Sequence, residues 1–373
     1  MYIITRQTTI LIRFSYQLFL FLPNYYRKLV PSINIRWYDK DIKFDEVNEL
    51  YSNSRITAIG SYVPERVMTN DDFVKIIDTN DEWITKRTGI KERRFAKENE
   101  FTSDLCIKAI EDLAFRYNKE ISDVDFIIVS TMTPDYHTPS VASYVQGRLG
   151  IQNAGAIDLN AACAGFTYAL HLANGLITSG IHKRVLVIGA ETISKITDFT
   201  DRTTCILFGD GAGAVLVEED PNGHFLASTV HSEGDKAIHL YSTNLSHTMF
   251  QQKLEHKKQL VQNGREVYKW AVTTVPDGMR SLLSTINLTF DNIDWFIPHS
   301  ANLRMIESIC EKSGIGLEKT IYSMVKFGNT SAASIPLSID LGIKEGKIKN
   351  GDTLLLYGFG GGLSHSGQVI KWG

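Results

Sequence analysis

Cysteine is scarce in this chain of 373 residues. Cys106, Cys163, Cys205 and Cys310 stand far apart, with no CxxC pair and no cysteine–histidine spacing suited to a metal. That pattern argues against a zinc site and a disulfide framework, and it implies reduced thiols in a cytoplasmic setting. A large excess of one charge is also missing. The formal net charge is −3, so no broad cationic face exists for nucleic acid. Long clean apolar runs are missing too. Residues Thr8 to Pro23 are apolar but carry Arg13 and Gln17. They fall short of the roughly 20 apolar residues that a membrane span requires. No small-residue cleavage site follows, so a secretory signal is a poor reading. Residues 1–54 therefore read as a poorly patterned N-terminal extension, disordered or a start-site artefact, with membrane attachment not expected. What is present is a composition of 43% hydrophobic and 22% charged residues, suited to a globular chain with a sizeable core.

Patterned sequence begins near Arg55, and it contains one long internal repeat. DVDFIIVS (Asp123 to Ser130) resembles NIDWFIPH (Asn292 to His299), displaced by 169 residues. VLVIGAE (Val185 to Glu191) resembles LLLYGFG (Leu354 to Gly360), and Asn160 falls on Asn329, at the same displacement of 169. A shared displacement divides the chain into related halves, 55–225 and 226–373. Within each half, short β-branched runs such as FIIVST, GAIDLN and RVLVIGA alternate with helical patterns that end in glycine. The alternation predicts an α/β fold with largely parallel sheets covered by helices, and two halves packed about a pseudo-twofold axis. CILFGDGAGAVLVEE reads as an antiparallel hairpin closing the first half.

NAACAGFTYAL (Asn160 to Leu170) places Cys163 where a strand gives way to a helix. Helix N-terminal N–H groups and the helix dipole favour a thiolate, so a lowered thiol pKa is expected. Small neighbours, Ala161, Ala162, Ala164 and Gly165, leave room for a substrate. A small buried cysteine at a tight helix start explains the same stretch equally well. The second half favours the functional reading. His299 and Asn329 each lie at a strand end, where sites form in parallel α/β sheets, and the repeat gives Cys163 and Asn329 equivalent places.

These stretches resemble a known family. Cys163 in AACAG, His299 in PHSAN, Asn329 in FGNTSAAS and the terminal GFGGG are similar to the β-ketoacyl-acyl carrier protein synthase III enzymes of the thiolase-like superfamily. So are TNDEWITKRTGIKERR (Thr79 to Arg94) and LFGDGAGAVL (Leu207 to Leu216). The resemblance implies a thiolase-like layered αβαβα sandwich. It also implies decarboxylating condensation of an acyl-CoA primer with malonyl-acyl carrier protein, starting fatty acid synthesis. Cys163 would take the acyl group. His299 and Asn329 would donate hydrogen bonds to the enolate left by decarboxylation, and the N–H groups of Cys163 and Gly361 would form the oxyanion hole.

The resemblance further assigns Trp83 and Arg202 to a clamp on the adenine of CoA, Arg87 to its phosphates and Asn302 to its pantetheine arm. For Trp83 and Arg87 a buried aromatic and a surface charge are the plainer alternative. Arg265 stands where some members carry asparagine, which leaves that CoA contact open. Lys269 and Arg304 would contribute to a carrier-protein docking patch. Thr138 and Phe359 would line the acyl pocket, and Thr138, in place of a bulkier residue, predicts room for branched primers. A homodimer is expected. Neither a cofactor nor a metal is expected, acyl-CoA being a substrate. Competing readings are a starter-unit ketosynthase of secondary metabolism and an acyl-CoA thioesterase or acyltransferase. The last leaves the paired donors His299 and Asn329 without a task. A degradative thiolase would carry a cysteine in the terminal glycine motif, and residues 359–362 contain none.

Overall fold

A computed structural model describes residues 52–255 and 258–373, together with the backbone of two short strands, Tyr2–Ile4 and Thr9–Leu11, which pair antiparallel. The chain divides into two units, Met1–Val47 and Asn48–Gly373. The expectations placed on residues 1–54 lie almost wholly outside the described residues. No helix among the described residues is long and apolar enough to cross a membrane.

The larger unit is built on two sheets. The first contains β1 (Ser54–Tyr62), β2 (Phe126–Ser130), β3 (Gly155–Leu159), β4 (Arg184–Glu191) and β5 (Gly211–Glu219), in the spatial order β1-β5-β4-β2-β3. Strands β3, β2 and β4 run parallel, while β5 is antiparallel to both β4 and β1. The second sheet contains β6 (Phe225–Ser232), β7 (Trp295–Pro298), β8 (Thr353–Gly360) and β9 (Ser364–Lys371), in the order β6-β9-β8-β7. Its parallel pair is β7 with β8, and β9 is antiparallel to β8 and β6. The two orders match strand for strand. The place of β3 is taken in the second sheet by a single parallel bridge between Phe296 and Thr320. The expected hairpin is corrected: Gly211–Glu219 is one strand, and its antiparallel partners come from elsewhere in the sheet.

Seven helices of note are α1 (Asp81–Thr88), α2 (Thr102–Tyr117), α3 (Val141–Arg148), α4 (Gly165–Thr178), α5 (Gly264–Ser284), α6 (Leu303–Ser313) and α7 (Ser334–Lys344). Helices α4 and α7 touch both sheets and form the central layer; α2 and α3 cover the outer face of the first sheet, and α5 covers the second with α6 packed against it. This is the layered αβαβα sandwich. The halves are not separate domains. One apolar core joins Ile56, Phe166 and Val187 of the first half to Ile297, Leu356 and Ile370 of the second. Burying both faces of a sheet calls for continuous apolar runs, and β4 and β8 supply them.

The repeat fixes how closely the halves approach. Gly189 in β4 and Gly358 in β8 hold equivalent positions. A Cβ on Gly189 would lie 2.3 Å from the carbonyl oxygen of Ala332, and one on Gly358 would lie 2.8 Å from Cα of Ala164. Each strand therefore presses bare backbone against the turn of the opposite half.

Candidate active site

Two turns face each other across this contact. In the first half β3 ends at Leu159, and a tight 3-10 turn, Ala162–Ala164, leads into α4. In the second, Ser331–Ala333 leads into α7 in the same way. Asn160 Oδ1 accepts from the N–H of Ala162 at 3.2 Å, and Asn329 Oδ1 accepts from the N–H of Ser331 at 2.9 Å. Ala162 and Ser331 both have left-handed backbones, with φ of 45° and 50°. Such conformations cost a non-glycine residue roughly 1–2 kcal/mol, and the asparagine anchors offset that cost. The strict equivalence thus pairs Asn160 with Asn329 and Cys163 with Ala332, which corrects the looser pairing of Cys163 with Asn329.

Cys163, His299 and Asn329 come together on one cavity of about 900 Å³, together with Phe359, Gly361 and Asn302. All three chemical groups are buried, with exposures of 7%, 2% and 6%. The amide of Asn329 is oriented by its own turn. Its oxygen is engaged with Ser331, which leaves the NH₂ to donate. Asn302 repeats the device: it caps α6, its Oδ1 accepting from the N–H of Met305 at 3.0 Å, and its NH₂ remains for a ligand. The backbone of Asn329 is gripped by the loop before β5, for its N–H donates to Leu207 and its carbonyl accepts from Gly209.

His299 follows the last residue of β7. Its Nδ1 lies 2.8 Å from Ser334 Oγ, which itself accepts from the N–H of Ser300. Burial pushes the imidazole down to about 3, against a weaker opposing contact with the Ser331 backbone. The ring is therefore neutral. Phe359 stands edge-on to it, the ring centroids 5.3 Å apart.

Cys163 departs from expectation. Its thiol is pushed up to about 12, because burial outweighs everything else. The Ser331 hydroxyl and the N–H groups of Cys163 and Gly361 favour the thiolate, while the charge of Glu191 opposes it. The helix start supplies donors as expected, but a desolvated thiolate costs more than they return. The backbone N–H groups of Cys163 and Gly361 are thus among the donors that favour charge on the sulfur.

Glu191 was not foreseen. It ends β4, fully buried, with its carboxylate accepting from Thr133 Oγ at 2.7 Å, Thr131 Oγ at 3.1 Å and the N–H of Met132 at 3.1 Å. Burial raises its pKa to about 7. Ser331 and Ser334 also went unforeseen, although the repeat maps Ser331 onto Ala162, beside Cys163.

The outer part of the site is assembled as well. Trp83 is half-buried on α1, whose start is capped by Asn80. The guanidinium of Arg87 lies 5.1 Å from the centre of the Trp83 ring, and that of Arg202 lies 5.0 Å from it. The three are brought together, but Arg202 occupies the stacking place itself, held by the carbonyl of Asp78 at 3.1 Å. A ring between Trp83 and Arg202 needs about 7 Å, so Arg202 must swing outward to admit one.

Other expected residues lie elsewhere. Thr138 is exposed, with its hydroxyl on the carbonyl of His137, and it is not part of the cavity wall. That loop lends Met132, Thr133, Pro134 and His137 to the wall instead. Thr138 is thus corrected as an acyl-pocket residue of its own chain, since the loop still lines the cavity at His137 and turns outward at Thr138. Arg265 is exposed at the start of α5, outside the cavity wall. Lys269 is exposed and faces Glu266 at 3.8 Å, and exposed Arg304 donates to the carbonyl of Lys86 at 2.8 Å.

With this geometry in view, comparison with known proteins is decisive. Residues 157–234 match the model for 3-oxoacyl-acyl carrier protein synthase III, and residues 283–372 match that for its C-terminal part. The β-ketoacyl-acyl carrier protein synthase III 2 of Halalkalibacterium halodurans is 65% identical over 322 residues, covering 86% of this chain and 97% of that one. The chain belongs to the β-ketoacyl-acyl carrier protein synthase III family. The protein of the same name from Bacillus cereus is 59% identical, covering 87% of this chain and 99% of its own length. Among solved structures, the synthase III of Thermus thermophilus superposes with a TM-score of 0.83 at 44% identity, covering 86% of this chain and 99% of that one. A synthase III fold is thiolase-like, and the family is one of condensing acyltransferases.

Proposed function

We propose that this synthase III condenses an acyl-CoA primer with malonyl-acyl carrier protein, releasing carbon dioxide and CoA and giving 3-ketoacyl-acyl carrier protein. The observation that carries this reading is the convergence of Cys163, His299, Asn329 and Gly361 on one cavity. Hydrolysis of an acyl-enzyme forms no enolate, so it gives the paired donors His299 and Asn329 no enolate oxygen to stabilise.

In the first half-reaction the sulfur of Cys163 attacks the acyl thioester. The N–H groups of Cys163 and Gly361 hold the tetrahedral oxyanion, and CoA leaves. Trp83, Arg87 and Arg202 hold the nucleotide end, with Arg202 swung out, and Asn302 offers its NH₂ to the pantetheine arm. In the second half-reaction the malonyl carboxylate departs. The enolate oxygen takes hydrogen bonds from the Asn329 NH₂ and from His299. A neutral imidazole donates from one nitrogen only. Ser334 Oγ accepts from Ser300, so its hydrogen is available to His299 Nδ1, which leaves Nε2–H as the donor. The carbanion then attacks the acyl group on Cys163. Carbon dioxide leaves by itself once the enolate is stabilised, so the reaction needs no metal and no cofactor.

Lys269 and Arg304 are proposed to meet the acidic carrier protein, and the cytoplasm is the proposed compartment. A homodimer is proposed through the free edge of β3. Ile157 on that strand is 41% exposed, and Tyr136, on the loop that carries Thr138, is 53% exposed. Unpaired sheet edges invite pairing. Thr138 would then contribute to a neighbouring subunit's pocket. The test is carbon dioxide release and 3-ketoacyl product from malonyl-acyl carrier protein, with acetyl-CoA and isobutyryl-CoA compared. Condensation by the native protein and none by Cys163→Ala is expected. Release of free CoA without ketoacyl product would overturn the reading.

A further inference from the structure

A fully buried guanidinium lies behind the backbone that carries Asn329. Arg93 sits on the short strand Glu92–Phe95, which pairs antiparallel with Arg66–Thr69. Its Nη1 donates to Asn70 Oδ1 at 2.7 Å and to the carbonyl of Met68 at 3.3 Å, and its Nη2 donates to the carbonyl of Ile206. None of these acceptors is a carboxylate. The Phe73 ring covers the group, its centre 4.6 Å from the guanidinium carbon. Burying a charge without an acidic partner is unfavourable. An apolar side chain of similar length would avoid that cost, so what distinguishes Arg93 is what its hydrogen bonds order.

On one side they order the grip on Asn329. Ile206 precedes Leu207, whose carbonyl accepts from the N–H of Asn329 at 2.8 Å, and the N–H of Gly209 donates to the Asn329 carbonyl at 3.1 Å. The stem of Arg93 lies against both sides of this bridge. A Cβ on Gly209 would stand 3.0 Å from Arg93 Cβ, and one on Gly328 would stand 2.9 Å from it. On the other side is Asn70. A guanidinium only donates, so the Asn70 oxygen must face Arg93 and its NH₂ must face away. That NH₂ meets Asp81 Oδ1 at 2.8 Å, Thr85 Oγ at 3.2 Å and the carbonyl of Ile90 at 2.8 Å. Asp81 and Thr85 belong to α1, so the tip of Arg93 is referred to that helix.

We infer that Arg93 is a positioning residue for decarboxylation: wedged between Asn70 and the bridge from Leu207 and Gly209 to Asn329, it sets where the Asn329 amide stands. The turn of Asn329 orients the amide, through the bond from Oδ1 to the N–H of Ser331, but it does not fix the turn in space. The bridge does that, and Arg93 holds the bridge at Ile206 with its tip and at Gly209 and Gly328 with its stem. Without the tip, Ile206 and Leu207 are free to shift, and the Asn329 N–H follows the Leu207 carbonyl. Cys163 stands on the turn of the other half and takes no bond from Arg93.

The inference rests on Asn329 as an enolate donor, and a double-mutant cycle separates the two. The full chain, Asn329→Ala, Arg93→Met and the double variant are compared in carbon dioxide release from malonyl-acyl carrier protein and, by intact mass, in acylation of Cys163 at saturating acetyl-CoA. Displacing a reacting group by about 1 Å costs on the order of 100-fold in rate, so a shift of roughly half that should slow decarboxylation about 10-fold in Arg93→Met. Acylation should keep its native rate. In the Asn329→Ala background Arg93→Met should add nothing, since an absent amide cannot be misplaced. Losses that multiply in the double variant, or equal slowing of both half-reactions, would overturn the inference. Native decarboxylation in Asn329→Ala would instead overturn the reading beneath it. Arg93→Lys keeps the charge but offers one nitrogen in place of two, so decarboxylation should stay slow; a native rate there would make charge, not position, the cause and would also overturn the inference. If Arg93→Met does not fold, Asn70→Ala, which removes the oxygen that Nη1 meets, takes its place in the same cycle.

Discussion

Gly360→Ala adds one methyl at the most crowded point behind the nucleophile. The backbone of Gly360 lies outside the left-handed region, so alanine is conformationally permitted there and only space is at issue. The new Cβ would stand 2.7 Å from Cys163 Cβ, 3.0 Å from its sulfur and 3.3 Å from its nitrogen. Ordinary contact begins near 3.4 Å, so the turn carrying Cys163 must retreat by several tenths of an ångström. It cannot retreat freely. Behind it, Ala164 is already pressed against Gly358. Overpacking of this kind costs roughly 1–3 kcal/mol. Displacement of a reacting group by about 1 Å costs on the order of 100-fold in rate, and the N–H donors of Cys163 and Gly361 move with the sulfur. Gly361→Ala is the graded comparison. Its Cβ would meet Ala162 Cβ at 3.2 Å and nothing else closer than 3.6 Å. The assay is acylation of Cys163 by acetyl-CoA, read as intact mass against time, with the melting temperature measured alongside. Gly360→Ala should lower both, and Gly361→Ala should lower the melting temperature less. Native acylation rate and native melting temperature in Gly360→Ala would refute the packing argument.

His299→Ala and Asn329→Ala should each slow decarboxylation of malonyl-acyl carrier protein by roughly 100- to 1000-fold, while burst acylation of Cys163 persists. Carbon dioxide release and intact mass separate the two steps. Trp83→Ala should raise KM for acyl-CoA by roughly 5- to 150-fold, the value of about 1–3 kcal/mol of base stacking, with little change in kcat. Stability against pH has a sign that can be worked out. His299 is depressed from 6.5 to about 3, so its contribution is lost as pH falls below 6.5. Glu191 is raised from 4.5 to about 7, so its contribution is lost as pH rises above 4.5. Between pH 4.5 and 6.5 the two slopes oppose each other. Glu191→Gln removes one, and stability should then fall by about 1.4 kcal/mol more steeply per unit of decreasing pH. Urea unfolding at pH 4.5, 5.5 and 6.5 checks this, and parallel native and variant curves would refute it.

Much of this architecture is legible in the sequence because the sheets are buried on both faces. FIIVS, RVLVIGAE and TLLLYGFG read as strands since nothing polar interrupts them, and the displacement of 169 residues survives intact between β4 and β8. The site residues are legible for different reasons: His299 follows such a strand and Cys163 follows β3, whereas Asn329, expected at a strand end, follows the helical turn Met324–Phe327 and is legible as the repeat's counterpart of Asn160. The ionisation of Cys163 is not legible. Its direction depends on how much solvent the second half excludes, and residues more than 160 positions away decide that. Thr138 fails for a local reason. Spacing along a loop does not reveal which way each side chain turns, and here His137 lines the cavity while its neighbour Thr138 is exposed outside it.

The repeat carries the deepest functional consequence. Two turns of one design, each with an asparagine anchor and a left-handed residue, meet across a pseudo-twofold contact and have taken different tasks. One presents a sulfur, and the other presents an amide and a hydroxyl. The strand ends behind them diverge in step: Gly360 yields space to the sulfur, and Glu191 fills the equivalent place, where Thr131, Met132 and Thr133 hold its carboxylate. A side chain at 360 would crowd the nucleophile, and a glycine at 191 would leave the Thr131 and Thr133 hydroxyls without the carboxylate that accepts from them. Exchanging the two residues should therefore abolish acylation, although it conserves composition and leaves the length of both strands unchanged.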